Sequence, residues 1–154
     1  MLYIGADHQG RELAKDLGAF LSTQNIEFLK VGQELYSPED DYPDFAKAAV
    51  LKLLNDFADG DGSSKAILLC GSGQGMLIAA NRFKRIRAGL CWDIQETRLA
   101  RSDDDINVLC LPARLFKEGA DERLWQNMIK VFLETEFKSI PKYSRRREKL
   151  DRLP

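Results

Sequence analysis

Cys70 is followed at once by Gly71-Ser72-Gly73-Gln74-Gly75, and a thiol joined to three alternating glycines is the combination here best suited to chemistry. Glycine lets the backbone take positive φ and lets a ligand approach the main-chain amides closely. A helix starting near Gln74 turns unpaired N–H groups and the positive end of its dipole into the same space. Such a cradle suits an anion or a developing oxyanion, and Cys70 is the nucleophile or base that it would serve. The spacing Gly71-x-Gly73-x-Gly75 lacks the third glycine of a dinucleotide fingerprint, and no Gly-Lys-Ser/Thr follows as a P-loop requires. Nucleotide binding is therefore set aside. The plain alternative is an ordinary buried thiol beside a tight turn, because free cysteine is among the most buried residue types. The Gly-Ser-Gly-x-Gly attached to the thiol tips the balance toward a site.

Asp7-His8 is the second group, and His8 is the sole histidine of the 154 residues. A single loop histidine is commonly solvated or structural, but a carboxylate beside it at a strand end suits proton transfer. Cys–His hydrolysis would need the imidazole against the thiol and a third group orienting it, a geometry that residue order does not fix.

The elements that must position these groups follow from the hydrophobic pattern. Ala66-Ile67-Leu68-Leu69 runs unbroken into Cys70, and a second apolar run, Met76 to Ala80, follows the glycines: a buried strand, a tight turn and a helix start. Earlier, Leu2–Gly5 reads as a strand, Arg11–Thr23 as a helix with Leu13, Leu17, Phe20 and Leu21 on one face, and Ile26–Val31 as a second strand. Gly32 to Asp41 reads as a polar loop, Pro38 and Pro43 as stops to regular structure, and Asp44–Phe57 as a helix. After the central strand come a strand over 87–91, a helix over 93–103, a strand over 107–111 closed by Pro112, and a helix over 121–137. Strands alternating with helices predict a three-layer α/β/α, doubly wound fold on a five-stranded parallel sheet. Ligands of such folds bind beyond the carboxyl ends of the strands, at a switch point. That rule selects Asp7-His8 and Cys70-Gly71-Ser72, which meet if the first and third strands are neighbours.

Composition bounds the function. The length and 44% hydrophobic content fit one domain, 1–154, with a basic tail from about 138. A net charge of −1 supplies no field to recruit nucleic acid or a membrane surface. Cys70, Cys91 and Cys110 show no paired spacing, so neither a metal site nor a disulfide framework is expected; reduced thiols point to the cytoplasm. No signal peptide and no long apolar span is visible.

Several motifs in register resemble the ribose 5-phosphate isomerase B / galactose 6-phosphate isomerase family. They are Gly5-Ala6-Asp7-His8-Gln9-Gly10, Asp41-Tyr42-Pro43-Asp44, Cys70 to Met76 with Ile78-Ala79-Ala80-Asn81, Arg87 to Cys91, and Asn107 to Arg114. The resemblance thins beyond Arg114. It implies aldose–ketose isomerisation of a phosphorylated sugar through an enediolate, with no metal or organic cofactor, by a homodimer or dimer of dimers with sites at the subunit interface. By the same resemblance Cys70 is the base moving a proton between C1 and C2, and Ser72 stands where the family has Thr or Ser. The amides of Gly71, Gly73 and Gly75 hold the enediolate oxygen, Asp7 and His8 contact the sugar, Tyr42 lines the pocket and Arg114 helps bind phosphate. Carbon acids need a base and a preorganised oxyanion site together, which agrees. The family tail carries two arginines four apart; Lys142 and Arg146 stand at that spacing here, with a solvated basic tail as the other reading. The short basic run, without interleaved aromatics beyond Tyr143, argues against nucleic acid.

Two departures matter. Cys91-Trp92-Asp93 replaces the family's Cys-His-Asp, the histidine usually assigned to opening the sugar ring, and Trp92 reads as pocket wall. One branch instead keeps a histidine in Glu-His-Asn, where this chain has Ser102-Asp103-Asp104; Asp104 thus replaces a hydrogen-bond donor with an acceptor. Three consequences stay open: a substrate needing no ring opening, such as a four-carbon sugar phosphate; ring opening by Asp103 or His8; or a non-catalytic partner subunit like one of a heteromeric galactose 6-phosphate isomerase. Retention of Cys70 argues against the last. Ribose 5-phosphate is the default substrate, with galactose 6-phosphate an alternative.

Overall fold

The computed structural model describes residues 1–32, 37–117 and 121–153, apart from the Glu122 side chain. Residues 33–36 of the expected polar loop lie outside the described residues. In chain order the elements are β1 (Leu2–Ala6), α1 (Arg11–Thr23), β2 (Phe28–Val31), α2 (Tyr42–Ala58), β3 (Lys65–Cys70), α3 (Gln74–Ala80), β4 (Ala88–Leu90), α4 (Ile94–Asp104), β5 (Val108–Pro112), α5 (Glu122–Glu134) and α6 (Pro141–Asp151).

The five strands form one parallel sheet in the order β2-β1-β3-β5-β4, so β1 and β3 are neighbours. Side chains alternate across the pleat. Leu2, Ile4, Ile67, Leu69, Leu109 and Leu111 face one layer, where Leu13, Leu17 and Leu21 of α1 meet Trp125, Met128, Ile129 and Phe132 of α5. Tyr3, Ala66, Leu68, Cys70, Val108 and Cys110 face the other, against Phe45, Ala49, Val50 and Leu53 of α2 and Met76 and Ala80 of α3. Each fully buried leucine removed from water contributes roughly 1.5–3 kcal/mol, which is what ties the layers together. The helix after β1 covers one face and the helix after β3 the opposite one, so the switch point lies between these two strand ends.

Three local differences from the pattern-based expectation have physical causes. Pro43 does not stop structure; it sits in the first turn of α2, where its missing N–H costs no helical hydrogen bond. The second strand starts at Phe28 instead of Ile26, because Asn25 takes φ 55° and the Ile26 N–H closes the end of α1 on the Leu21 carbonyl. The basic tail contains a helix, α6, with no buried residue to give it an apolar stripe. It is held by ion pairs: Arg147 to Asp105 at 3.0 Å and Asp151 to Arg87 at 2.9 Å. No helix among the described residues is long and apolar enough to cross a membrane.

Candidate active site

Cys70 is the last residue of β3 and is 5% exposed. Its alternation places it on the α2/α3 face, and the Gly73 N–H donates to its Sγ at 3.1 Å. The thiol is thus turned to the glycine loop. Gly73 adopts φ 74°, a left-handed conformation that L side chains rarely take. A β-carbon there would stand 2.4 Å from Leu90 Cδ1 and 3.2 Å from the Leu111 carbonyl carbon, so the turn has no room for a side chain. The Gln74 N–H reaches the exposed Ser72 Oγ at 3.3 Å. Among the described residues, the amides of Ser72, Gly75 and Met76 have no protein acceptor and are left to meet an oxyanion.

The first loop stands beside this turn. Register pairs Ala6 with Leu69, so Asp7 comes level with Cys70 on the neighbouring strand, about 4.8 Å away in the sheet direction. The Asp7 N–H donates to the Leu69 carbonyl at 3.2 Å, and a β-carbon on Gly10 would lie 2.3 Å from the same carbonyl oxygen. Only glycine lets the loop come this close. Asp7 is 6% exposed, and its Oδ1 accepts from the N–H groups of Gln9 and Gly10, each at 2.9 Å. Burial pushes its carboxyl above the ordinary range, and those two amides oppose the rise.

His8 is oriented by Asp40, a residue that belongs to none of the motifs. Asp40 Oδ1 lies 2.7 Å from His8 Nδ1 and also accepts from the His8 main-chain N–H at 3.2 Å. The Asp40 hydrogen bond raises the imidazole above its ordinary value, helped by the charges of Asp40, Asp7 and Glu39. No spacing rule links residues 8 and 40; three successive carboxylates, Glu39 to Asp41, just before a helix start were the available signal. A cavity of about 360 Å³ beside this loop is lined by Asp7, His8, Arg11, Lys15, Lys30 and Asp40. Cys70 is not in its wall, so Asp7 is the residue that joins cavity and thiol.

Other candidates close the same side. A β-carbon on Gly75 would stand 2.8 Å from Tyr42 Cε2, which puts the tyrosine ring, at the start of α2, against the first turn of α3. The Arg114 N–H donates to the Gly71 carbonyl at 3.1 Å, and a β-carbon on Gly71 would be 2.9 Å from Arg114 Nε. A guanidinium therefore stands directly over the loop. Trp92 follows β4 at the same sheet edge, 50% exposed.

Asp103, Asp104, Lys142 and Arg146 are not brought to Cys70 within one chain. The helix α4 runs back from the end of β4 to the start of β5, so its last residues lie at the amino edge of the sheet. Asp103 there accepts from Ser102 Oγ at 2.5 Å, pairs with Lys138 at 3.6 Å and is bonded by Tyr143, contacts that lower its carboxyl's pKa. Asp104 is exposed beside it. Lys142 and Arg146 are exposed on α6, which joins the same edge through the Lys138 N–H on the Ser102 carbonyl at 2.8 Å. Among the described residues no cluster of three or more His, Cys, Asp or Glu side chains is placed to hold a metal ion.

Comparison with known proteins agrees with this layout. Residues 2–150 match the family described as Ribose/Galactose Isomerase. A probable ribose-5-phosphate isomerase B of Mycoplasma pneumoniae is 40% identical over 113 residues, 73% of this chain and 71% of the relative. The crystal structure of a ribose 5-phosphate isomerase of Thermotoga maritima superposes with a TM-score of 0.86 at 38% identity, covering 99% of this chain and 97% of that one. Ribose-5-phosphate isomerase B of Mycoplasma genitalium, solved with bound ribulose-5-phosphate, gives a TM-score of 0.85 at 31% identity, covering 98% and 93%. With the motif order, the parallel sheet and the Cys70 loop all in place, the chain belongs to the ribose/galactose isomerase family.

Proposed function

We propose that the protein interconverts ribose 5-phosphate and ribulose 5-phosphate through an enediolate. The observation that carries this reading is Cys70 Sγ held at 3.1 Å by the Gly73 N–H, at the mouth of a turn whose Ser72, Gly75 and Met76 amides have no acceptor among the described residues. Cys70 takes a proton from one of two adjacent carbons and returns it to the other. The loop amides stabilise the negative charge that develops on the neighbouring oxygen, a contribution worth roughly 10²–10³ in rate per donor. Ser72 stands at the open side of the same turn. Tyr42 and Trp92 line the cleft, Asp7 and His8 bind the sugar, and Arg114 supplies positive charge over Gly71 for phosphate.

The amino-edge group fits a dimer. Asp103, Asp104, Lys142 and Arg146 share one surface distant from the Cys70 of their own chain, the arrangement expected if each subunit completes its partner's site; Lys142 and Arg146 would then grip the phosphate. Three buried, unpaired thiols fit a reducing compartment, and we place the enzyme in the cytoplasm. The decisive test is Cys70→Ala, followed by NMR for exchange of the substrate's C1/C2 protons with solvent. Exchange and turnover vanish while the melting temperature holds if Cys70 is the base; exchange at the wild-type rate overturns the assignment.

A further inference from the structure

We propose that a cavity at the amino ends of β3, β4 and β5 binds a small phosphate-bearing dianion, separately from the isomerisation site. The cavity measures about 310 Å³, at the small end of the range for ligand sites. Lys65 in its wall is the first residue of β3 and Cys70 is the last, so the two stand roughly 17 Å apart at about 3.3 Å of rise per residue. Neither Lys142 nor Arg146 lines it, which separates it from the phosphate grip proposed above.

The wall is basic. Lys65, Arg85, Arg87, Arg101 and Arg147 face it against three carboxylates, Asp105, Glu148 and Asp151. A concave surface with two positive charges in excess draws anions from solution and suits a doubly charged one.

The carboxylates are already engaged. Asp105 bonds Arg87, Arg101 and Arg147 at 2.9, 2.9 and 3.0 Å, and Asp151 bonds Arg87 at 2.9 Å. Glu148 turns to Arg152 at 3.8 Å. Lys65 and Arg85 are left without a carboxylate at ion-pair distance among the described residues: Lys65 Nζ donates to the Ser63 carbonyl at 3.2 Å, and Arg85 lies over the Phe57 ring, 5.2 Å from its centroid. Burial lowers the pKa of the Lys65 ammonium, and the Arg101 charge lowers it further, against a partial pull from Asp105 and Asp61.

A buried donor is also left over. The Arg101 side chain is 8% exposed; Nη1 donates to Asp105 and to the Ile106 carbonyl, Nη2 donates to the Thr135 carbonyl, and Nε has no partner among the described residues. Folded proteins pair nearly all such groups, so this wall is short of acceptors. A phosphate group supplies both what is missing, acceptor oxygens and negative charge, and guanidinium groups bind it through paired N–H donors.

Lys65 and Arg85 belong to the body of the domain, whereas Arg147 and Asp151 belong to α6, which has no buried residue of its own. A dianion lodged between them fastens that helix to the sheet, and with it Lys142 and Arg146.

The test follows hydrogen exchange across 141–151 in the whole protein, with inorganic phosphate and glycerol 3-phosphate as probes and potassium chloride at matched ionic strength as the control. A ligand that holds only the docked helix lowers the open population by 1 + [L]/Kd, so phosphate at ten times its apparent Kd should slow exchange there about tenfold. Lys65→Gln with Arg85→Gln should abolish this protection and leave turnover at saturating ribose 5-phosphate unchanged. Lys142→Gln with Arg146→Gln should keep the protection. The probe that acts at the lower concentration identifies the occupant, the free ion or a phosphate ester. Protection that survives in the first pair of substitutions, that disappears in the second, or that neither probe confers on the wild type overturns the proposal. Should the first pair misfold, Lys65→Gln alone decides: an unchanged apparent Kd for phosphate overturns the site.

Discussion

The Tyr42 ring occupies the space in which a side chain on Gly75 would have to lie, with Cε2 only 2.8 Å from the position of a β-carbon. Gly75→Ala therefore sets two effects against each other. Alanine gains roughly 1 kcal/mol of helix propensity in α3, while the overpacking costs about 1–3 kcal/mol. Denaturant unfolding should show a net change within about 2 kcal/mol. The ring must move to accept the methyl group, so KM for the sugar phosphate should rise severalfold; an unchanged KM would mean that Tyr42 does not line the cleft.

Asp105 is the hub of the tail. It bonds Arg87, Arg101 and Arg147 at 2.9, 2.9 and 3.0 Å, and takes φ 53° at the end of α4. Asp105→Asn keeps a residue tolerant of that conformation and removes the charge, leaving three guanidinium groups facing each other. The partners are partly solvated, so a loss of about 2 kcal/mol is expected, below the 3–5 kcal/mol typical of a fully buried broken pair. Hydrogen exchange should rise across 141–151 first. With Lys142 and Arg146 no longer held, KM should rise more than kcat falls.

Asp40 gives stability its own pH dependence. The folded imidazole titrates above the unfolded value of 6.5 because Asp40 bonds its protonated form. The contribution is complete below 6.5 and disappears as pH climbs through the higher folded value. The gap in melting temperature between wild type and Asp40→Asn should accordingly be widest on the acid side and close with rising pH, over a series from about pH 5 to about pH 9. A gap that does not change over the series would show that Asp40 supports the loop by packing alone.

Thiol reactivity should divide the cysteines. Burial pushes Cys91 up to about 11 and Cys110 well above its ordinary value, leaving almost no thiolate in either. Iodoacetamide at about pH 8 should label neither in the native protein and both after denaturation, as read by peptide mass spectrometry. Any native labelling at Cys70 should be slowed by sugar phosphate.

The strand–turn–helix around Cys70 could be read in advance because three local signals coincide there: an unbroken apolar run, glycines where the backbone needs them, and a resumed apolar run. The period-2 pattern likewise separates the two faces of the sheet, since both are buried. What stayed hidden was held by polar contacts between distant residues. The helix α6 has no apolar stripe, so periodicity could not find it; its support is Arg147–Asp105 and Asp151–Arg87, far apart in the chain. Asp40 is silent in the sequence for the same reason, its partner being 32 residues away. Pro43 reads as a stop yet begins α2, because proline's meaning reverses between a helix interior and its first turn.

The pairing of β1 with β3, across everything that lies between Ala6 and Lys65, has a bearing on biogenesis. A nascent chain holds its imidazole and its first carboxylate from the outset, but no thiol lies beside them until the third strand has emerged and docked. Closing so long an excursion is among the slower events of folding. Chains that have not reached that docking are consequently inert, and the thiol and the first loop become neighbours in one stroke when those two strands zip together.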